Sequence, residues 1–148
     1  MSQAIPEAFK LFTSSYEMPF MELVGPIYRH ENHDTVRLGL LVDDNHCNPM
    51  GTVHGGMLAT IADAAAGLTL IENDGKRGAV TVNLNLDFIG SAPKGTWLEA
   101  VPTIKKDGGS LGFCVCEILD GERLVLRASG AFKFIERRMP RAMENPSS

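Results

Sequence analysis

His54-Gly-Gly-Met-Leu-Ala-Thr-Ile-Ala-Asp63-Ala-Ala-Ala-Gly-Leu-Thr-Leu-Ile71 is a run of eighteen residues with no proline and a single formal charge, at Asp63. At 100° per residue, Met57, Leu58, Ile61, Ala65 and Leu68 fall in one apolar stripe, as an amphipathic helix requires. The opposite face holds Gly56, Ala59, Ala66, Gly67 and Leu70 beside Asp63, where a surface helix would carry Lys and Glu. Such a helix is buried nearly all round. Its own sheet covers one side, and another element or a second subunit covers the other.

The flanks read as strands and turns. Upstream, DDNHCNPMG at 43–51 is dense in turn formers and makes a loop. Between Glu22 and Val42 the alternation Val36, Leu38, Leu40, Val42, with a polar connection from His30 to Asp34, gives two short strands or one long bent one. Ile5, Phe9 and Phe12 at i, i+4, i+7, with Pro6 suited to a first turn, predict a short amphipathic helix that ends by Met18, because Pro19 disfavours helix before it. Downstream of the turn-like NDGKRG at 73–78, Val80, Val82, Leu84, Leu86 and Phe88 alternate with polar residues, which predicts a strand with one buried face. Trp97–Lys105, Leu111–Leu119 and Arg123–Ile135 follow, joined by Asp-Gly turns into an antiparallel meander. The fold class is therefore α+β: one long central helix wrapped by a five- or six-stranded antiparallel sheet, with a short N-terminal helix. Residues 1–136 form one domain, and the proline-bearing RRMPRAMENPSS at 137–148 is expected to be a flexible tail.

Composition narrows the functional classes. A chain of 148 residues, 44% hydrophobic and 22% charged, has no room for separate cofactor and substrate domains. Fourteen basic against eighteen acidic residues gives a net charge of -4, which favours neither nucleic acid nor an anionic membrane as partner. The opening MSQAIPEAF has neither the charged nor the apolar part of a secretory leader, and three cysteines suit a reducing compartment, so a cytoplasmic location is expected. His46, Cys47, Cys114 and Cys116 lack the spacing of a zinc site, and no metal is expected.

The chemistry concentrates around the start of the long helix. A loop brings Asn48, His54, Gly55 and Gly56 to a helix N-terminus, where unpaired N–H groups and the helix dipole suit an oxyanion or polarised carbonyl. Glycines there let a substrate approach the backbone. Asp63 is the one carboxylate within the helix, but Gly55 to Asp63 spans about 12 Å at 1.5 Å per residue, too far to serve its own helix start. Two antiparallel copies side by side would bring Asp63 of one to the helix start of the other, giving a two-fold dimer with two sites. Taken singly, each residue has a plainer role: Asp63 as a satisfied buried carboxylate, Asn48 as a turn residue before Pro49, His54 as a helix cap, and Thr81 as strand packing.

The run N-P-M-G-T-V-H-G-G-M-L-A-T-I-A-D, followed by AVTVNLNLDFIGSAP, resembles the hot-dog-fold acyl-CoA thioesterases of the phenylacetate-degradation (PaaI-like) type over about residues 18–135. The resemblance implies hydrolysis of an aryl-acyl or short- to medium-chain acyl-CoA by a homodimer or dimer-of-dimers tetramer, without a cofactor, coenzyme A being part of the substrate. It assigns Asp63 as general base or nucleophile, Asn48 as the amide that positions the reacting groups, and the Gly55 N–H as oxyanion donor. His54 then lies near the thioester, Thr81 helps hold the attacking water, and pantetheine runs past Gly56, Val80, Val82 and Asn83. The acyl pocket is expected to be shaped by Met50, Met57, Leu70 and Phe88. The same fold also serves non-catalytic acyl-CoA-binding modules and hydratases or dehydratases.

Overall fold

The computed structural model describes residues 2–14 and 17–137. In chain order these form β1 (Phe9–Leu11), α1 (Pro19–Val24), β2 (Tyr28–His30), β3 (Leu38–Leu41), a 3-10 turn (Asp44–His46), α2 (Gly55–Asp74), β4 (Gly78–Phe88), β5 (Trp97–Asp107), β6 (Leu111–Asp120) and β7 (Arg123–Ile135). The seven strands make one sheet in the order β1-β2-β3-β5-β6-β7-β4, and each neighbouring pair is antiparallel. β5, β6 and β7 are the meander that the Asp-Gly turns predict. β4 pairs with β7 rather than with its sequence neighbour β5, from Gly78 opposite Ile135 to Phe88 opposite Leu126, and so forms an edge.

α2 is the core helix. By length and apolar content it could cross a membrane, but Met57, Leu58, Ile61, Ala62, Ala65, Ala66, Thr69 and Leu70 are buried. The first part packs with Leu38, Leu40, Leu98, Ile118 and Leu126 in the main cluster, and Ala66 and Leu70 pack with Cys114, Phe132 and Phe134 in a second. Asp63, Ala64, Gly67, Leu68 and Ile71 stay half-buried, so the sheet covers one side of the helix and leaves the other partly open. Gly75 closes the helix at φ 79°, a conformation that favours glycine, and donates to Ile71 O. The Arg77 guanidinium bonds Asp74 at 2.7 Å, holding its carboxyl down to about 2, and lies 4.3 Å from the Phe134 ring centroid. Those contacts fix the helix exit against β7.

Three expectations need correction. The segment around Phe9 is strand, not helix: Phe9 is buried and meets the Trp97 and His30 rings edge-on, with β1 paired to β2. The short helix lies at Pro19–Val24 instead, with the proline in its first turn, where a missing N–H costs nothing. The sheet has seven strands rather than five or six, because the N-terminal third supplies three short ones.

The third correction concerns β4. Its register slips between Thr81 and Asn83, so Val82 is an extra residue in the strand. Side chains alternate with period two, and one extra residue therefore exchanges the faces of the residues on either side. Ala79 and Thr81 face α2 before the bulge, and Leu84 and Leu86 face the core after it. Val80 and Val82, expected to be buried, are 46% and 60% exposed. The tail expected at 137–148 lies outside the described residues except for Arg137, which is exposed.

Candidate active site

The bulge puts the Thr81 hydroxyl on the side of Asp63. Thr81 Oγ1 donates to Asp63 Oδ1 at 2.6 Å, so the helix carboxylate and the strand hydroxyl form one unit. Among the described residues Oδ2 has no hydrogen-bond partner. The pair lies in a groove of about 350 Å³ between α1, α2 and β4, lined by Met18, Phe20, Met21, Thr60, Ala64, Gly67, Leu68, Ile71, Ala79 and Phe132. Among the described residues, Asp63 is the only titratable one of that lining. A carboxylate with one oxygen held and the other open, in an apolar groove, is suited to taking a proton from water.

The helix start is a second unit. Cys47 and Val53 bridge antiparallel, which closes the preceding loop as a small hairpin and delivers His54 to the N-cap. Within it, Asn48 Oδ1 accepts from the N–H groups of Met50 (3.0 Å) and Thr52 (3.3 Å), and its Nδ2 donates to Thr52 Oγ1 at 3.0 Å. Inside one chain, then, Asn48 shapes the loop as a turn asparagine does. The ring of His54 accepts the Gly56 N–H at Nδ1, 2.8 Å away, which leaves the proton of the neutral ring on Nε2. Met57 and Leu58 N–H both bond His54 O. Gly55, at the first helical position, has no intrahelical acceptor for its N–H.

Each glycine of the pair has its own steric reason. A Cβ on Gly56 would lie 2.9 Å from His54 Nδ1, and one on Gly55 would lie 3.0 Å from Cε1 of Phe88. Phe88 thus packs over the helix start, while Thr81, earlier in the same strand, reaches Asp63.

The expected site residues therefore fall into two groups in a single chain. Asp63 and Thr81 are together, and His54, Gly55 and Gly56 are together with Asn48 in the adjoining loop. Val80, Val82 and Asn83 are exposed along the free edge strand. Of the four residues expected to shape the pocket, Met57 and Leu70 are core, Met50 is 87% exposed, and none of the four lines the groove at Asp63. Met18 and Met21 hold that position instead. Cys114 and Cys116 are buried in the core, and burial pushes their thiols up to about 11 and about 12, which makes them poor nucleophiles.

One structural role escaped the sequence reading, in which His46 figured only as a rejected zinc ligand. His46 is buried, its Nδ1 accepts the Asp43 N–H at 3.0 Å, and its Nε2 therefore carries the proton and donates to Val24 O at 2.6 Å. It ties the loop that leads into α2 to the end of α1. His46→Ala is expected to cost about 1–3 kcal/mol, as lost buried hydrogen bonds do, read as a lower urea midpoint. An unchanged midpoint would show that the tie carries no stability.

A long helix wrapped by a curled antiparallel sheet, with a carboxylate on the helix and a glycine pair at its start, defines a hot-dog-fold α+β protein. The thioesterase superfamily model matches residues 50–126, more than half of the chain. A candidate esterase of Pseudomonas aeruginosa, PA0474, is 40% identical over 131 residues, which cover 86% of this chain and 96% of the relative. Human acyl-coenzyme A thioesterase 13 is 25% identical over 131 residues, 88% of this chain and 92% of that protein. The solved structure of Escherichia coli PaaI, a protein of the phenylacetic acid degradation operon, superposes with a TM-score of 0.70 at 22% identity, covering 78% and 83% of the two chains, a likeness of fold. The chain belongs to the thioesterase superfamily, and hydrolase is the enzyme class this membership supports.

Proposed function

We propose that this protein is an acyl-CoA thioesterase, with Asp63 as general base at a site completed by a second copy. The observation that carries the reading is the Asp63–Thr81 pair, 2.6 Å apart in an apolar groove. Asp63 takes a proton from a water held beside Thr81, and the water oxygen attacks the thioester carbonyl. The oxyanion is met by the Gly55 N–H and the N-terminal dipole of the partner's α2, with His54 beside it and Asn48 holding the loop. Collapse of the tetrahedral species breaks the C–S bond and returns a proton to the thiolate, giving free acid and coenzyme A. Coenzyme A enters as part of the substrate, its pantetheine running past Gly56 and along Val80, Val82 and Asn83.

The edge strand supports the dimer. β4 is eleven residues long, its outer edge has no strand partner among the described residues, and Val80, Val82, Phe88 and Ile89 are exposed on or beside it. Such an edge invites another strand. Antiparallel pairing with its own copy about a two-fold between Leu84 and Asn85 sets Thr81 opposite Phe88 of the mate, and Phe88 lies on Gly55 of its own chain. The two half-sites then meet twice per dimer. A tetramer would form by a second contact through the outer sheet face, where Leu111 and Phe113 are exposed. A cytoplasmic location fits the three free cysteines.

The test is thiol release from aryl, short, medium and long acyl-CoAs, read with a chromogenic disulfide. Release from at least one class, with the free acid as co-product, is expected. Tight binding of CoA esters without release would favour a binding module, and an altered acyl chain without release would favour a hydratase.

A further inference from the structure

We propose that the groove at Asp63 continues beneath α1 as the acyl channel, that its ligand is a straight-chain acyl group of medium to long length, and that Met18 and Met21 set the length it accepts. The proposal rests on the reading of Asp63 as the group that meets the thioester. Met18 and Met21 line the 350 Å³ groove that holds Asp63, and they also line a second cavity of about 520 Å³ beyond α1. The two spaces are thus neighbours separated by methionine side chains. Leu11, Phe12 and Ile27 line the further cavity together with Thr13 and Ser14, and among the described residues Glu22 is its only titratable one. Its described residues offer nothing cationic to the phosphates of coenzyme A, and its largely apolar lining suits an uncharged group.

The shape favours a chain over a ring. An aryl group would be accommodated by the first space alone, whereas the larger space lies past the methionines, in the direction away from Asp63. The α2 wall presents the small residues Ala64 and Gly67 between Asp63 and the larger Leu68 and Ile71, which leaves width for a methylene chain. The opposite wall can adapt. α1 has six residues, none of them buried, and no side-chain cap. Met21 packs on the core edge, while Phe20 and Leu23 are 57% and 76% exposed. Thioether side chains adjust to ligand shape. The floor is fixed by the Phe12 N–H to Ile27 O bond at 2.8 Å, and the far end of α1 by His46 on Val24 O.

The experiment measures calorimetric affinities of the non-hydrolysable S-butyl, S-octyl and S-dodecyl thioethers of coenzyme A for wild type, Met21→Trp and Met21→Leu. Wild type is expected to gain about fourfold in affinity per methylene that enters the channel, the factor equivalent to 0.8 kcal/mol per buried CH2. In Met21→Trp the indole fills the junction, and the dodecyl-to-butyl affinity ratio is expected to fall more than tenfold, the loss of two or more buried methylenes at about fourfold each. Met21→Leu, close in volume, is expected to keep the wild-type slope. A wild-type affinity that does not rise with chain length overturns the proposal, as does a Met21→Trp slope equal to that of wild type. Thiol release from the matching acyl-CoAs is followed in parallel. A slope that depends on Met21, with no thiol released, would uphold the channel and overturn the thioesterase reading; release without a slope would do the reverse.

Discussion

Asp63→Asn is expected to lower kcat by about 10²–10⁴-fold, the range associated with a positioned general base, with KM and oligomeric state little changed. The amide keeps an oxygen that can accept the Thr81 hydroxyl, and the side chain keeps its volume in the groove. What it loses is the capacity to take a proton. The variant thus separates base chemistry from packing, which Asp63→Ala would not do. Measured kcat within a factor of a few of wild type would remove Asp63 from the mechanism, whatever its position.

Mixing two inactive variants should restore activity. In one chain Asp63 is Asn. In the other, Gly55→Val places a branched side chain where the Phe88 ring already lies 3.0 Å from a built Cβ, blocking approach to the helix start. After co-refolding, a mixed dimer contains one site assembled from the sound Asp63 of the valine chain and the sound Gly55 of the asparagine chain. The other site carries both defects. Random pairing gives about a quarter of wild-type activity, since half of the dimers are mixed and each has one working site of two. Asp63 and Gly55 acting within one chain would give no recovery, since every chain then carries a fault in its own site. Mixing each variant with itself supplies the baseline.

The legible parts of this chain were those where composition and chemistry agree. A long uncharged helix with a lone carboxylate admits few environments, so α2 and its need for cover could be read directly, as could the Asp-Gly hairpins of β5–β7. Asp63 and the glycine pair stood out because charge and backbone freedom are costly in such a segment without a use. The misreadings have equally specific sources. Ile5, Phe9 and Phe12 satisfy helical spacing, but Phe9 does so by accident, its partners being His30 and Trp97 far along the chain. Pro19 is ambiguous by nature, since a proline discourages helix before itself and can open one after.

β4 misled for the opposite reason, because VTVNLNLDF alternates so regularly that a bulge leaves no trace in the pattern. The one available sign was chemical. A strand threonine is the kind of partner that a helix carboxylate in an apolar groove requires. His46 was hidden in a loop rich in turn formers, where DDNHC looks like surface, and its two ring bonds run to backbone groups that no residue pattern reports. Met18 and Met21 stand more than forty residues from Asp63 in sequence, and only the placement of α1 joins them to it.

The bulge also determines how β4 can change length. Deleting a residue elsewhere in the strand would turn every side chain on one side of the cut to the wrong face. Deleting Val82 leaves Thr81, Asn83 and Leu84 facing in, out and in, a straight strand with the hydroxyl still toward Asp63. The extra residue is the strand's one point of slack: the position where the chain can shorten without taking the carboxylate–hydroxyl pair apart, and where a drifting sequence would record that it had.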